Sequence, residues 1–309
     1  MTTRPYLRSS LARSLYEKMV RDDNLRHLDK SKWYDVDVDL VDCEIKDVFF
    51  PSQVDDETED FLENCFEKSD WLMTQIFHAL VRSLMCWFMS RTSINGFLGR
   101  GSMFVFSNVQ FENIMSPFSN MREEWKGHGN LLDLGAGDGK VTEIMARHFR
   151  HIYATEVSPV MRKILAAKNY TLLDVDKWAN PDEGPRYFDL ISCLNLLDRC
   201  DRPITLLQQI RSKLNPDTGI LILAVVLPLS QYVESAGSKY NQPSEKILVK
   251  GRKFEEQASY LATNLFQQNG FQVLRWTRVP YLCEGDLDQA FYWLNDALFV
   301  MKVADSCDS

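Results

Sequence analysis

The chain has 309 residues, of which 45% are hydrophobic and 12% aromatic, enough to bury a full core, so disorder is excluded and one domain of ordinary size with an extension is expected. A net charge of -8 and a pI of 5.3 argue against a nucleic-acid tracker, because phosphate binding draws on clustered Lys and Arg. The seven cysteines are odd in number and scattered, with no C-x-x-C pair, so neither a disulfide framework nor a metal site is expected.

The first residues, MTTRPYLRSSLARSLYEKMV, carry no apolar h-region. Cytoplasm, endomembrane and mitochondrion all stay open as compartments. Residues 1 to about 68 read as helical and then acidic and irregular, with the run DDETED at 55–60 taken as a solvated face or loop. The most apolar stretch is Trp71 to Met89, but Gln75, His78 and Arg82 recur along it at helical spacing. It is expected to be a buried helix and not a membrane span. The next segment, SRTSINGFLGRGSMFVFS, is rich in glycine, yet no strand precedes it and no Gly-Lys-Ser/Thr closes it, so a lid or tight loop is expected in place of a phosphate cradle. Residues 1–120 are expected to form a helical extension and lid, 121–303 the main domain and 304–309 a tail.

From about residue 129 short apolar runs alternate with helical stretches, the pattern of a parallel α/β sheet. Strands are expected at NLLDLGAG, HIYATEV, YTLLDV, YFDLISCLN and GILILAVVLP, with helices at Lys140–Phe149, Ser158–Lys168 and Pro203–Leu214. Residues 229–252 read as a long polar loop. A helix from Phe254 to Asn269 stops at Gly270, and FQVLRWTRVPYL with AFYWLNDALFVMK reads as an antiparallel edge pair.

The strand-to-helix turn Asp133-Leu134-Gly135-Ala136-Gly137-Asp138-Gly139 lets backbone approach a ligand through Gly135 and Gly137. Glu156 ends the next strand, 17 residues beyond Gly139, where a carboxylate can accept from ribose hydroxyls. A dinucleotide would fit those two features as well. However, the spacing is G-x-G-x-G, and Asp133 and Asp138 would repel a pyrophosphate while favouring the ammonium and sulfonium of S-adenosylmethionine. Asp176, after the third strand, is a candidate for reading the adenine amino group. The fourth strand ends in SCLNLLDR, which lacks the N/D-P-P-Y/F pattern of exocyclic base methylation.

LLDLGAGDG, IYATEVS, DLISCLNLLDRCD, PSE at 243–245, PYLCEGD at 280–286 and SRTSINGFLGRGSMFVFS together resemble the DREV family of protein-histidine N-pros-methyltransferases, over about residues 65–303. The resemblance implies a class I S-adenosylmethionine-dependent methyltransferase, a Rossmann-like α/β fold with a seven-stranded, mostly parallel sheet. It also implies transfer to the Nπ nitrogen of histidine in His-x-His motifs of protein or peptide substrates, where x is small. By that likeness Glu156, Asn195 and Tyr281 contact the cofactor, and Asp198 and Tyr292 face the target histidine. Gln231 and Asn295 depart from the pattern, which has proline and aspartate there. Read as residues alone, Asp198 could equally cap a helix or pair with Arg199 or Arg202, Asn195 could be a turn former, and the two tyrosines ordinary sheet packing. A methyltransferase for small molecules or other side chains, and a catalytically silent binding module, are the competing readings.

Overall fold

The computed structural model describes residues 9–85, 94, 98–99, 101–235 and 238–304. Its centre is an eight-stranded sheet. Five parallel strands, β2 (Asn130–Leu134), β3 (His151–Thr155), β4 (Thr171–Leu173), β5 (Leu190–Leu194) and β6 (Ile220–Val226), follow the expected order of apolar runs. The long strands β9 (Phe271–Glu284) and β10 (Phe291–Val303) form the expected antiparallel pair, with β10 against β6. The eighth strand corrects the expected seven: β1 (Met103–Phe104), from the segment read as a lid, pairs antiparallel with Cys283 and Leu282 of β9. The full order is β1-β9-β10-β6-β5-β2-β3-β4. The strand order reverses its progression between β2 and β5, which are parallel neighbours, and this switch point is where open α/β sheets bind ligands at the carboxyl ends of their strands.

Strand periodicity sorts the core into two faces. Leu221, Leu223 and Val225 of β6 and Ala297, Phe299 and Met301 of β10 join one cluster, and Ile220, Ile222, Ala224, Leu298 and Val300 the other. The first face is covered by α9 (Pro203–Lys213) and α10 (Phe254–Tyr260), which runs on into a π-helical turn at Leu261–Phe266 and ends at Gly270 (φ 79°). The second face is covered by α5 (Asn108–Ile114), α6 (Ser119–His128), α7 (Lys140–Ala146) and the rest of the extension, whose Leu25, Trp33, Tyr34, Leu62 and Phe66 belong to the same cluster as Leu131, Leu190 and Leu298 of the sheet. Between β3 and β4, α8 (Pro159–Ala167) starts as expected, with Ser158 accepting from Met161 N–H and Pro159 in the first turn.

The extension departs from its reading in two places. The acidic run at 55–60 is the start of a helix, α3 (Asp56–Asp70), after α1 (Ser10–Arg26) and the short α2 (Cys43–Lys46). Asp55 caps α3 by accepting from Thr58 N–H, and Asp56, Glu57 and Glu59 sit in the first turn, where the helix dipole favours negative charge. The stretch expected as a buried helix forms α4 (Leu72–Met85), but Trp71, Met73, Phe77 and Leu80 are exposed, so its apolar face is not taken up by the core; Cys86 to Met89 lie outside the described residues. Among the described residues no helix is long and apolar enough to cross a membrane. Of the segment read as a lid, 90–93, 95–97 and 100 also lie outside the described residues.

Two attachments fix the margins of the sheet. Phe50 N–H donates to Trp276 O and Trp276 N–H to Val48 O, while the indole N–H of Trp276 reaches Ile45 O at 2.8 Å. The 229–252 stretch is not wholly loop: β7 (Val233–Ser235) pairs with β8 (Ser238–Asn241). Its end is pinned where Glu245 accepts from Ile204 N–H, Thr205 N–H (2.8 Å each) and the Thr205 hydroxyl, capping α9 from outside because Pro203 and Arg202 supply no cap of their own. Ser244 completes the clasp through Asp201.

Trp276 is fully buried and carries both the ring packing on Phe49 and the backbone seam to residues 48–50. Trp276→Ala is expected to cost about 3–5 kcal/mol of unfolding free energy, read by urea denaturation.

Candidate active site

At the carboxyl end of β2 the chain turns through Gly135 (φ 74°), Gly137 (φ 55°) and Gly139 (φ 76°), conformations in which side chains are strained. The turn is held from β3: Gly135 N–H donates to Thr155 O at 3.0 Å, and Gly137 N–H to a carboxyl oxygen of Glu156 at 3.0 Å. The other oxygen of Glu156 accepts from Ser158 N–H at 2.7 Å. Glu156 is thus buried and aimed by two amides, and each oxygen keeps a second lone pair for a ribose hydroxyl.

Asp133 differs from expectation. It lies within β2, not in the turn, because the strand runs on through Leu134. It is buried, with its oxygens taken by the hydroxyls of Thr142 and Ser192 (2.7 Å for Ser192), so it ties β2 to α7 and β5. Burial pushes its carboxyl up to about 6. Of the two anions expected beside the cofactor, only Asp138 sits in the turn itself, accepting from Lys140 N–H. Asp176 is on an exposed turn after β4, its own N–H bonded to Asp174.

The chain leaves β5 at Asn195, held in a left-handed conformation (φ 54°) with its N–H on Ala224 O. Its amide nitrogen donates to Asp296 at 2.7 Å, while its amide oxygen has no partner among the described residues. Three residues on, Asp198 is buried at 4% exposure with one oxygen unpartnered among the described residues, and the Arg199 Nε stands 3.9 Å from the other. Burial raises the Asp198 carboxyl, and Arg199 works against that rise. The Arg199 guanidinium lies 5.7 Å from the Tyr232 ring and 5.6 Å from the Tyr281 ring, joining the 229–252 segment to β9.

Tyr281 is buried on β9, its hydroxyl donating to the Met103 sulfur. Met103 also faces the cofactor turn, its methyl carbon 3.6 Å from where a Cβ on Gly137 would stand, and Ser102 accepts from the Lys140 ammonium. Part of the segment read as a lid therefore touches both the glycine turn and Tyr281. The register sets Tyr281 opposite Leu294 and Cys283 opposite Tyr292, so these four share a face with Asp296. Tyr292 is 39% exposed and donates to Asp286 at 2.9 Å. It is four positions from Asp296, about 13 Å along the strand. The structure thus brings Asn195, Asp198 and Tyr281 together and sets Tyr292 at the rim.

Asp296 is the residue that sequence reasoning missed. It is fully buried, and burial above all, with Asp198 nearby, pushes it up to about 8 against its bond from Asn195 and the charge of Arg199. The signal was a lone carboxylate inside the apolar strand WLNDALFV. Its neighbour Asn295 instead accepts from Arg278 at 2.9 Å.

A glycine turn without side chains, a carboxylate aimed by two amides, and buried unpartnered acceptors on Asn195, Asp198 and Asp296 fit a cationic nucleoside. Residues 33–303 match the DREV methyltransferase family. Among curated proteins, the mitochondrial ubiquinone biosynthesis O-methyltransferase of Saccharomyces cerevisiae is 29% identical over 131 residues, 40% of this chain and 41% of that protein. Its counterpart in Schizosaccharomyces pombe is 27% identical over 105 residues, 31% and 37% of the two chains. The matched stretch thus spans about two fifths of those relatives. Among solved structures, the 1,6-didemethyltoxoflavin-N1-methyltransferase of Burkholderia thailandensis, which holds S-adenosylhomocysteine, is similar at 20% identity and a TM-score of 0.38, over 62% of this chain and 78% of that one. An S-adenosylmethionine-dependent methyltransferase of Clostridium acetobutylicum is similar at 16% identity and a TM-score of 0.36, over 64% and 99%. The fold assignment stands on the strand order and the family match: the chain is a class I methyltransferase that uses S-adenosylmethionine and belongs to the DREV methyltransferase family.

Proposed function

We propose that this methyltransferase modifies the Nπ nitrogen of histidine in His-x-His motifs of proteins or peptides, where x is small. The observation that carries the reading is Asp198, a buried carboxyl with an oxygen unpartnered among the described residues, three residues beyond Asn195 in the turn that follows β5. An imidazole with a pKa near 6.5 is mostly neutral at neutral pH and already has a lone pair. What it needs is a choice between two nitrogens. A carboxylate accepting from Nτ–H fixes the tautomer whose lone pair is on Nπ, and offsets the positive charge the ring acquires. Asp198 is assigned that role, with Arg199 opposing the rise that burial imposes on its carboxyl.

When bound, S-adenosylmethionine supplies a methyl group whose sulfur keeps the bonding pair as the ring nitrogen takes the carbon. Glu156 and the Gly135–Gly137 turn hold the nucleoside, Tyr281 and Asn195 line the reacting end, and Tyr292 meets the peptide at the rim. The methylated ring, now cationic, gives up its Nτ proton toward Asp198 and then water. The rate gain comes chiefly from alignment of donor and acceptor.

A second reading is favoured by the ubiquinone O-methyltransferases named above: transfer to a small-molecule hydroxyl, with Asp198 as the base that takes its proton. The two separate in one assay, in which purified protein is given S-adenosylmethionine and a peptide with alternating histidines. Nπ-methylhistidine found by mass spectrometry and amino-acid analysis, and lost when the histidines become alanine, supports the first; no transfer to peptide with intact cofactor binding removes it.

Asp198→Asn should lower kcat/KM about 100-fold or more while leaving cofactor affinity within a few-fold. In the unaltered protein, activity requires an ionised Asp198, whose carboxyl is raised, and a neutral imidazole, so kcat/KM is expected to fall as pH drops below about 6.5. Glu156→Ala removes the ribose acceptor and should weaken S-adenosylmethionine binding about tenfold or more, measured by calorimetry.

A further inference from the structure

Asp296 sits in β10 opposite Val226 of β6, with no exposed surface. One of its oxygens takes the Asn195 amide N–H at 2.7 Å; the other oxygen, and the amide oxygen of Asn195, have no partner among the described residues. Asn195 has little other freedom, since its backbone is held in the left-handed region by the bond to Ala224. Orientation of its amide is therefore set by Asp296. An ionised carboxylate only accepts, so it takes the amide by its nitrogen and leaves the amide oxygen free. A protonated carboxyl both donates and accepts, and tolerates the amide either way round.

We propose that Asp296 is a positioning residue which, when ionised, turns the Asn195 side-chain amide so that its oxygen is presented to the cationic groups of the bound cofactor. This rests on the assignment of Asn195 as a cofactor contact. The charged and titratable groups around Asp296 are Asp198 and Arg199 from the turn after β5, and Tyr281 and Cys283 from β9. With its carboxyl pushed up by burial to about 8, Asp296 is largely protonated at neutral pH in the free protein. Binding of the cationic cofactor then draws the proton off, so affinity is linked to pH.

The test is calorimetric titration of S-adenosylmethionine into the full chain and into Asp296→Asn, at about pH 6.5 and about pH 9. The cofactor's own titration cancels in the ratio of the two proteins. The variant amide holds Asn195 either way round at every pH, so its affinity should match the unaltered protein at the lower pH and fall about tenfold behind at the higher. A ratio that is the same at both pH values overturns the proposal. Loss of binding in the unaltered protein at both values would instead overturn the reading of the site itself, and the proposal with it.

Stability separates this effect from misfolding. A buried carboxyl raised to about 8 makes the folded state less stable as pH climbs from the unfolded value through 8, so the variant should melt no lower than the unaltered protein at about pH 9. A measurement without any change at Asp296 is also open. With asparagine selectively labelled with 15N, and Asn195→Ala used for assignment, the Asn195 side-chain resonances should shift with a midpoint near 8; constancy across that range overturns the proposal.

Discussion

The constraint on which this architecture turns is the free edge of a long hairpin. β9 runs for 14 residues and β10 for 13, but β10 pairs with β6 only from Asp296 to Met301. The rest of the hairpin projects beyond the parallel strands, with an edge of unsatisfied backbone groups that would otherwise invite association. The extension covers it in pieces: residues 48–50 at Trp276, β1 at Leu282 and Cys283, and Trp33 and Phe66 edge-on against Phe291. At the hairpin tip, Lys68 meets the buried Glu284 at 3.0 Å, and Asp22 accepts from Ala290 N–H. This matters for chemistry because Tyr281 and Asp296 both come from that hairpin, while Glu156, Asn195 and Asp198 come from the parallel half of the sheet.

The parallel half was legible because each of its signals is local. The apolar runs are bounded by glycine or proline, Ser158-Pro159 announces a helix start, and the glycines of 135–139 can be explained only by a backbone that must turn left-handed. The antiparallel pair at the end was legible for the same reason. Glu156 was found from its distance to the glycine turn, and the turn then uses it as a hydrogen-bond acceptor.

What was not legible depends on partners far along the chain. Asp296 meets Asn195 across 101 residues, and Glu245 caps a helix 40 residues before it. Met103 belongs to a two-residue strand that exists only because β9 offers an edge, and no periodicity can register over two residues. The placement of Asp133 failed by one step: the carboxylate was read as part of the turn, whereas β2 continues past it and two hydroxyls from neighbouring elements consume it. On α4 the helix was legible but its burial was not, since periodicity reports that an apolar face exists and not what covers it.

The separation between the extension and its partners has a consequence for how the chain comes off the ribosome. Asp22 waits for Ala290, Ile45 for Trp276, and Asp37 for Glu255, contacts spanning 268, 231 and 218 residues. The extension, made before the sheet, is therefore among the last parts to find its place. During synthesis Trp33, Leu62 and Phe66 are uncovered until the final hairpin has emerged, since the ring of Phe291 and the strand carrying Leu298 close their cluster. Long-range closure of this kind slows folding and lengthens the exposure of apolar surface. The nascent chain thus exposes apolar surface longest in its extension, although the nucleoside-binding half has been complete for many residues by then.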